Sequence, residues 1–212
     1  MTQPSFRPFQ DRFSKESALK ILQNACEGAD DGELFIERRT SESLVFDDGK
    51  LRNASYDASE GFGLRAVLGE VAGYAHSTEV SESALLRASA TARLAVGAGG
   101  STLAEAPRST NSKFYGDTDP ISEVSFSAKI DTLREIDTFL RDLDSRVVQV
   151  SASIAASLQE VIILRPDGND VSDTRPMARV NVSVIVEHNG RRESGSAGGG
   201  GRITLDGLIA PQ

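Results

Sequence analysis

The residues best suited to chemistry lie in one stretch near the end of this 212-residue chain, VEHNGRRESGSAGGGGR at 186–202. It combines a histidine, several arginines and a glycine run, and the backbone amides of glycine-rich loops can bind phosphate groups. A Walker loop would need a lysine after its last glycine, but none follows Gly200 or Gly201. A dinucleotide fingerprint needs a helix after its glycines, and RITLDGLIAPQ shows no helical period. The second glycine cluster, GAGGST at 97–102, follows a helical pattern rather than a strand. We therefore do not expect a phosphate loop.

The sequence motifs do not support metal binding or nucleophilic catalysis either. A zinc site needs several nitrogen, sulfur or carboxylate ligands that converge, whereas the chain has only His76 and His188 and no H-E-x-x-H. The segment DTD at 117–119 lacks the glycine and distal glutamate of a calcium loop. GGSTL at 99–103 does not match the G-x-S-x-G of a nucleophile elbow. His188 borders a turn and His76 lies in a plain strand pattern, so we assign no catalytic residue and no metal ligand.

Composition narrows the class of protein. Hydrophobic residues make up 39% of the chain and charged residues 25%, as in a soluble globular domain. The net charge of −8 argues against non-specific electrostatic binding to nucleic acid. No segment is apolar enough for a membrane helix, and the first residues lack the apolar region of a signal peptide. We therefore expect a cytoplasmic protein. Its single cysteine, Cys26, falls on the apolar side of a helical pattern and is expected to be buried and inert.

Three helices are predicted from apolar residues at helical spacing. The first covers 14–28 with Ser14 as its N-cap, and the second runs from Ser81 to Gly97. The third begins at about Ser127. Its broad apolar stripe comprises Ile130, Leu133, Ile136, Phe139, Leu140 and Leu143.

Strands fill most of the remaining chain. Asp48-Gly49 and Asn189-Gly190 supply the positive-φ positions of two-residue hairpins. Residues 180–187 alternate apolar and polar, with the valines at even positions directed inward, which indicates a sheet covered on one face. Gly61 and Gly63 suggest a bulge or a tight bend. The fold class predicted is α+β, a mostly antiparallel sheet with about three helices packed on it.

Two long blocks carry a family resemblance, ESLVFDDGKLRNASYDASEGFGLRAVLGEVAGYAHSTEVS at 42–81 and RPMARVNVSVIVEHNGRRESGSAGGGGR at 175–202. Both resemble the TldD/PmbA family, also labelled modulators of DNA gyrase, and the TldD branch most closely. The resemblance implies a two-domain zinc metallopeptidase whose H-E-x-x-x-H motif lies in a C-terminal domain. No residue here matches a zinc ligand. The isolated chain is accordingly expected to bind no metal and to be inactive.

The resemblance also implies partners. A TldD-type chain pairs with a PmbA/TldE-type subunit, or with a second TldD chain, and unfolded peptides reach the zinc through an enclosed passage. No direct contact with nucleic acid or membrane is expected. The N-terminal domain would contribute to subunit pairing and to the passage. Two alternatives stay open: a complete, non-catalytic scaffold for a separate peptidase subunit, and a small hydrolase that uses His76 with a serine.

The chain is expected to divide into a flexible N-terminal arm at 1–14, an α+β domain at 15–197 and a glycine-rich junction at 198–212. The arm carries Phe6, Phe9 and Phe13, which are available to dock. An extended peptide could add to a sheet edge around 191–197 or 60–66. The residues proposed for substrate binding are Arg191, Arg192 and Arg202, with ordinary surface arginines as the alternative.

Overall fold

A computed structural model gives the structure of the protein and describes residues 6–97 and 115–209. The helices are α1 (Pro8–Asp11), α2 (Lys15–Ala25), α3 (Glu82–Val96), α4 (Phe126–Leu143) and α5 (Leu205–Ile209). The strands are β1 (Asp31–Asp47), β2 (Lys50–Leu68), β3 (Val71–Ser77), β4 (Val147–Leu164), β5 (Asp170–His188) and β6 (Arg191–Gly201). They form one sheet in the order β3-β2-β1-β4-β5-β6. The predicted α+β class is confirmed. The polar stretch 97–120, which its sequence predicts to be a surface loop, and the segments 97–102 and 99–103 within it fall largely on residues 98–114, outside the described residues.

Each of the three long helices begins at a serine that satisfies a free backbone amide of the first turn. The caps Ser14 and Ser81 are those predicted, whereas the third is Ser125, two residues before the predicted start at about Ser127. The Oγ atoms of these serines accept hydrogen bonds from the amide three residues later. The pairs are Ser14 with Ser17, Ser81 with Ala84, and Ser125 with Ala128. The short helices α1 and α5 were not predicted, since neither is long enough to show a helical period.

Both predicted hairpin turns are confirmed. Asp48 and Gly49 have φ angles of 48° and 73°, and Asn189 and Gly190 have φ angles of 51° and 77°. Two consecutive positive φ angles define the turn that matches the twist of the flanking strands. The turn at 189–190 fixes the register of β5 against β6, which pair antiparallel from His188 with Arg191 to Ala178 with Gly201.

The chain divides into two compact units, and the first comprises Met1–Arg39, Ser59–Ser112 and Glu160–Asp173. Its core contains Leu22 of α2, Leu34 of β1, Leu64 of β2 and Leu85 of α3, all fully buried. Phe13 is buried in the same core, and Phe6 and Phe9 pack against it. The described part of the predicted arm therefore docks through its phenylalanines. The predicted boundaries at 14/15 and 197/198 stay predictions.

Close packing of α3 on β3 depends on a glycine. A Cβ atom at Gly73 would lie 2.1 Å from the carbonyl oxygen of Ala92 in α3, so a larger residue would push the helix away from the strand. At Gly63 a Cβ atom would meet the ring of Tyr74. The predicted bulge at Gly63 is wrong, since β2 and β3 pair residue for residue from Phe62 with Ser77 to Leu68 with Val71. The glycine there makes room for a ring instead.

The second unit comprises Thr40–Ala58, Lys113–Gln159 and Thr174–Gln212. Its core combines residues of three strands and two helices: Leu44, Phe46, Leu133, Ala152, Ile154, Ala178 and Leu205. Val180 and Val182 point toward this core, as predicted, but are only partly buried. The predicted stripe of α4 is half right: Leu133 is buried, whereas Phe139 and Leu143 are 65% and 70% exposed.

A buried ion pair joins α4 to β1 within this unit. Lys129 is only 1% exposed, and its Nζ donates to a carboxylate oxygen of Glu42 in β1. The same ammonium group donates to the carbonyl oxygen of Ile121 at 2.6 Å. Since an isolated charge in the interior is costly, these two acceptors are what allow a lysine at this position.

Candidate binding site on the β5–β6 hairpin

The three arginines proposed from sequence are not brought together. Arg191 and Arg192 are consecutive in β6, so their side chains project from opposite faces of the sheet. Arg191 pairs with Glu193 at 2.6 Å and Arg192 with Glu187 at 2.7 Å. Arg202 follows the far end of β6, where its guanidinium lies 4.7 Å from the ring centroid of Tyr115. These arginines do not form one site.

Strand β6 is an edge of the sheet, as the strand order shows. Its residues from 191 to 200 are all exposed, and in the described part of the chain no further strand pairs with its outer edge. The prediction of an edge around 191–197 is therefore confirmed. At the alternative edge, β3 pairs with β2 from Phe62 to Leu68, so the prediction is wrong for residues 62–66.

The glycine run at 198–201 is part of β6, and its members alternate in environment. Gly198 and Gly200 pair with Asn181 and Arg179 of β5, and directly paired residues share one face of an antiparallel sheet. A Cβ atom at Gly198 would lie 2.5 Å from Oδ1 of Asn181, and one at Gly200 would lie 3.0 Å from Cβ of Arg179. These two glycines thus permit close packing beneath the side chains of β5.

Gly199 belongs to the opposite face. A Cβ atom there would lie 3.7 Å from Leu208 of α5, an ordinary contact distance. Helix α5 also supplies the buried Leu205 to the core of the second unit. The glycine run therefore has one face toward the core side and a second, bare face on which Gly198 and Gly200 have no side chain of their own.

The bare face borders an open pocket of about 420 Å³. Its polar lining comes from three strands and comprises Ser151, Ser153, Arg179, Asn181, Ser183 and Ser196, with Gly198 beside them. Nε of Arg179 donates to Oδ1 of Asn181 at 2.9 Å. Hydroxyl groups, a primary amide and a guanidinium are hydrogen-bond donors that suit a polar or anionic ligand.

Sequence reasoning missed Arg179 and Asn181 as candidate site residues. The available signal was the period of two, which places Ser151 and Ser153 on the polar face of β4 and Arg179 and Asn181 on the polar face of β5. What the sequence lacked was the pairing of β4 with β5 and of β5 with β6, which gathers these residues at one place.

Neither histidine has the surroundings of a catalytic base. His188 ends β5 beside the turn, exposed as predicted. His76 stacks on Tyr74 with ring centroids 5.7 Å apart, at the side of a shallow pocket of about 280 Å³ that also contains Ser59. Within residues 6–97 and 115–209 no hydrogen bond joins His76 to a serine. The geometry gives the small-hydrolase alternative no support.

Cys26 lies at the end of α2 and is buried, as expected. Burial raises the pKa of its thiol from 9.0 to about 11, and the nearby Asp31 carboxylate adds to this increase while Arg165 opposes it. The thiolate is the reactive form of cysteine. A buried thiol with a raised pKa is therefore a poor nucleophile.

We expect Cys26 in the folded protein to resist Ellman's reagent below pH 9.0 and to react once the protein is unfolded in guanidinium. Because the folded state holds the thiol proton more tightly, stability should fall as the pH rises from 9.0 toward about 11. Urea denaturation across this range, with Cys26→Ala as the control that loses the dependence, measures the effect. Rapid labelling of the folded protein would contradict the buried position.

Among the residues that the structure describes, no group of three or more His, Cys, Asp or Glu side chains is placed to hold a metal ion. The donor set present therefore does not fit a zinc centre. None of the described helices combines the length and the apolar character needed to cross a membrane.

Comparison with known proteins identifies two domains of one family. The model described as PmbA/TldA metallopeptidase domain 1 matches residues 32–96, and the model of the central domain matches residues 119–210. A metalloprotease TldD homolog from Buchnera aphidicola is 33% identical over 91% of this chain and 40% of its own length. One from Haemophilus influenzae is 34% identical over 84% of this chain and 37% of its own. The chain thus spans about two-fifths of these relatives.

Solved structures show the same fold. A Thermotoga maritima protein named as a modulator of DNA gyrase superposes with a TM-score of 0.73 at 16% identity, over 92% of this chain and 44% of its own. TldE from Thermococcus kodakarensis superposes with a TM-score of 0.70 at 15% identity, over 91% and 45%. The chain belongs to the PmbA/TldD metallopeptidase family and contains its first and central domains.

Proposed function

We propose that this chain is the N-terminal part of a TldD-type zinc metallopeptidase that degrades or trims unfolded peptides. Its relatives carry the name metalloprotease over a length more than twice that of the shared segment. The zinc would then be held by residues beyond 212, where it would lower the pKa of a bound water for hydrolysis. The share of this chain in the activity would be to bind peptide and to pair with another subunit.

The observation that carries the peptide-binding role is the edge strand β6. An extended peptide can pair with an exposed strand through main-chain groups alone, so it needs no particular sequence. Exposed side chains flank the outer edge of β6, and the glycines at 198–201 leave the backbone accessible on one face. An edge of this kind suits a peptidase that accepts varied unfolded chains. The contribution of Arg191, Arg192 and Arg202 to binding stays a prediction.

The apolar residues at the end of α4 favour a role in pairing. Phe139 and Leu143 are one turn apart, and both are largely exposed. Large apolar side chains that lie together on a surface are typical of protein–protein contacts. We propose that this end of α4 contacts a PmbA/TldE-type subunit, with a second copy of this chain as the alternative outcome of the test below. The net charge of −8 gives no support to direct DNA binding.

The test starts from the protein purified from its source. A denatured mass more than twice 22.6 kDa, bound zinc and chelator-sensitive cleavage of casein are the expected results. A native mass that exceeds the denatured one would show pairing, and mass spectrometry would identify the second subunit. The isolated 212-residue chain, as the control, should not cleave casein. A full-length protein without zinc and without casein cleavage would overturn the peptidase proposal in favour of a scaffold.

A further inference from the structure

We propose that the pocket around Arg179 binds a carboxylate group of a peptide that lies along β6, either an acidic side chain or the peptide's C-terminus. The inference rests on the proposed peptide-binding function and adds a chemical preference to it. Four features of the β5–β6 face support it: the charge of Arg179, the orientation of its guanidinium, the hydrogen-bond donors around it, and the absence of side chains at Gly198 and Gly200.

Arg179 is a cation without a carboxylate partner among the described residues. The other arginines of the hairpin differ, since Arg191 and Arg192 are paired with Glu193 and Glu187. Arg192 and its partner Glu187 lie on the same face of the sheet as Arg179, because Glu187 and Arg179 are an even number of residues apart in β5. The charges of Arg192 and Glu187 cancel each other. Arg179 is therefore the charged residue of the pocket lining, and it brings a positive charge there in a chain that is acidic overall.

Asn181 orients this cation. The hydrogen bond from Nε of Arg179 to Oδ1 of Asn181 holds one edge of the guanidinium, so both terminal nitrogens remain for a ligand. Planar carboxylates accept paired hydrogen bonds from a guanidinium fork. The amide nitrogen of Asn181 and the hydroxyls of Ser151 and Ser153 line the same pocket and are further donors.

The balance of charge favours a carboxylate over a phosphate. The lining contains one cation and several neutral donors, which matches the single negative charge of a carboxylate. A phosphate monoester carries close to two negative charges near neutral pH and is usually held by several cations.

Gly198 and Gly200 leave space for a ligand to reach Arg179 from the outer edge of β6. Neighbouring strands lie about 4.8 Å apart, so a peptide added to β6 would lie about 10 Å from the backbone of β5. Between them, Gly198 and Gly200 carry no side chain on this face. A glutamate of the peptide and Arg179 could therefore meet above β6. This contact gives a reason for glycine at 198 and 200 that backbone flexibility alone does not give.

The experiment compares short unstructured peptides in fluorescence-anisotropy titrations with the full-length protein, in a chelator that stops metal-dependent cleavage. The peptides differ only in a central Glu or Gln, and each is made with a free or an amidated C-terminus. A peptide with a carboxylate should bind roughly tenfold tighter than its neutral counterpart. The Glu/Gln pair reports a side-chain carboxylate, and the free/amidated pair reports a C-terminal one.

Variants of the arginine complete the test. Arg179→Gln should abolish the difference in affinity between the charged and the neutral peptides, whereas Arg179→Lys should retain only part of it. Arg134→Gln, an exposed arginine of α4 paired with Asp131, makes the same change in net charge and should have no effect. Equal affinity for all four peptides, or a preference that survives in Arg179→Gln, would overturn the inference.

The outcome is separable from that of the proposed function. Chelator-sensitive casein cleavage without any carboxylate preference would leave the peptidase proposal standing and remove this site. A carboxylate preference that depends on Arg179, in a protein that cleaves no casein, would support the site and overturn the peptidase proposal.

Discussion

Replacing Lys129 by methionine should lower the free energy of unfolding by about 3–5 kcal/mol, the cost of leaving one member of a buried ion pair alone. Lys129 and Glu42 are 1% and 12% exposed, so water cannot replace the lost ammonium group. The substitution also leaves the carbonyl oxygen of Ile121 without its donor. Urea denaturation of Lys129→Met against the unchanged protein measures the loss.

Two controls separate this pair from ordinary surface charge. Lys20 and Glu16 form an exposed i,i+4 pair on α2, and Lys20→Met should change stability by less than about 0.5 kcal/mol. In the double variant Glu42→Leu with Lys129→Met, no buried charge is left alone, so most of the stability should return. If the single variant Lys129→Met were as stable as Lys20→Met, the burial of the pair would be wrong.

Replacing Gly73 by alanine should destabilise the first unit by about 3 kcal/mol, near the upper end of what overpacking usually costs. The added Cβ atom would lie 2.1 Å from the carbonyl oxygen of Ala92, and a backbone atom of a helix cannot rotate away as a side-chain end can. Helix α3 would have to move off β3, which would loosen the core around Leu85. Thermal unfolding followed by circular dichroism measures this effect.

The matched control is Gly195→Ala in strand β6. Its Cβ atom would have Val184 as its nearest neighbour, at 3.9 Å. Both substitutions add the same methyl group to a strand glycine with an unstrained φ angle, so they differ only in the space available. We expect Gly195→Ala to leave stability unchanged or slightly higher, because alanine loses less backbone entropy on folding. Equal effects of the two substitutions would refute the close contact of α3 with β3.

The features that the sequence predicted correctly are local. A hairpin at Asn189-Gly190 needs only two residues that accept positive φ angles, and a helix start at Ser81 needs only an oxygen three residues before an amide.

The features that the sequence missed depend on which distant segments lie together. From the sequence alone, Lys129 is an ordinary charged residue of a helix, because only the fold shows that β1 brings Glu42 beside it. From the sequence alone, Gly73 is an ordinary strand residue, because only the fold shows that α3 packs directly against it. The predicted stripe of α4 assumed that every apolar residue at helical spacing is buried, whereas the buried residues of α4 are Lys129, Leu133 and Asp137, and Phe139 and Leu143 are exposed.

The glycines of β6 also determine how readily that strand can leave the sheet. Glycine gains more backbone freedom on release than any other residue, and Gly198–Gly201 carry no side chain whose burial would oppose it. This part of the strand is therefore attached mainly by its main-chain hydrogen bonds to β5. Peeling it back would open one edge while the core around Leu44 and Ile154 stays closed. A peptide paired with the outer edge of β6 would therefore oppose this local opening.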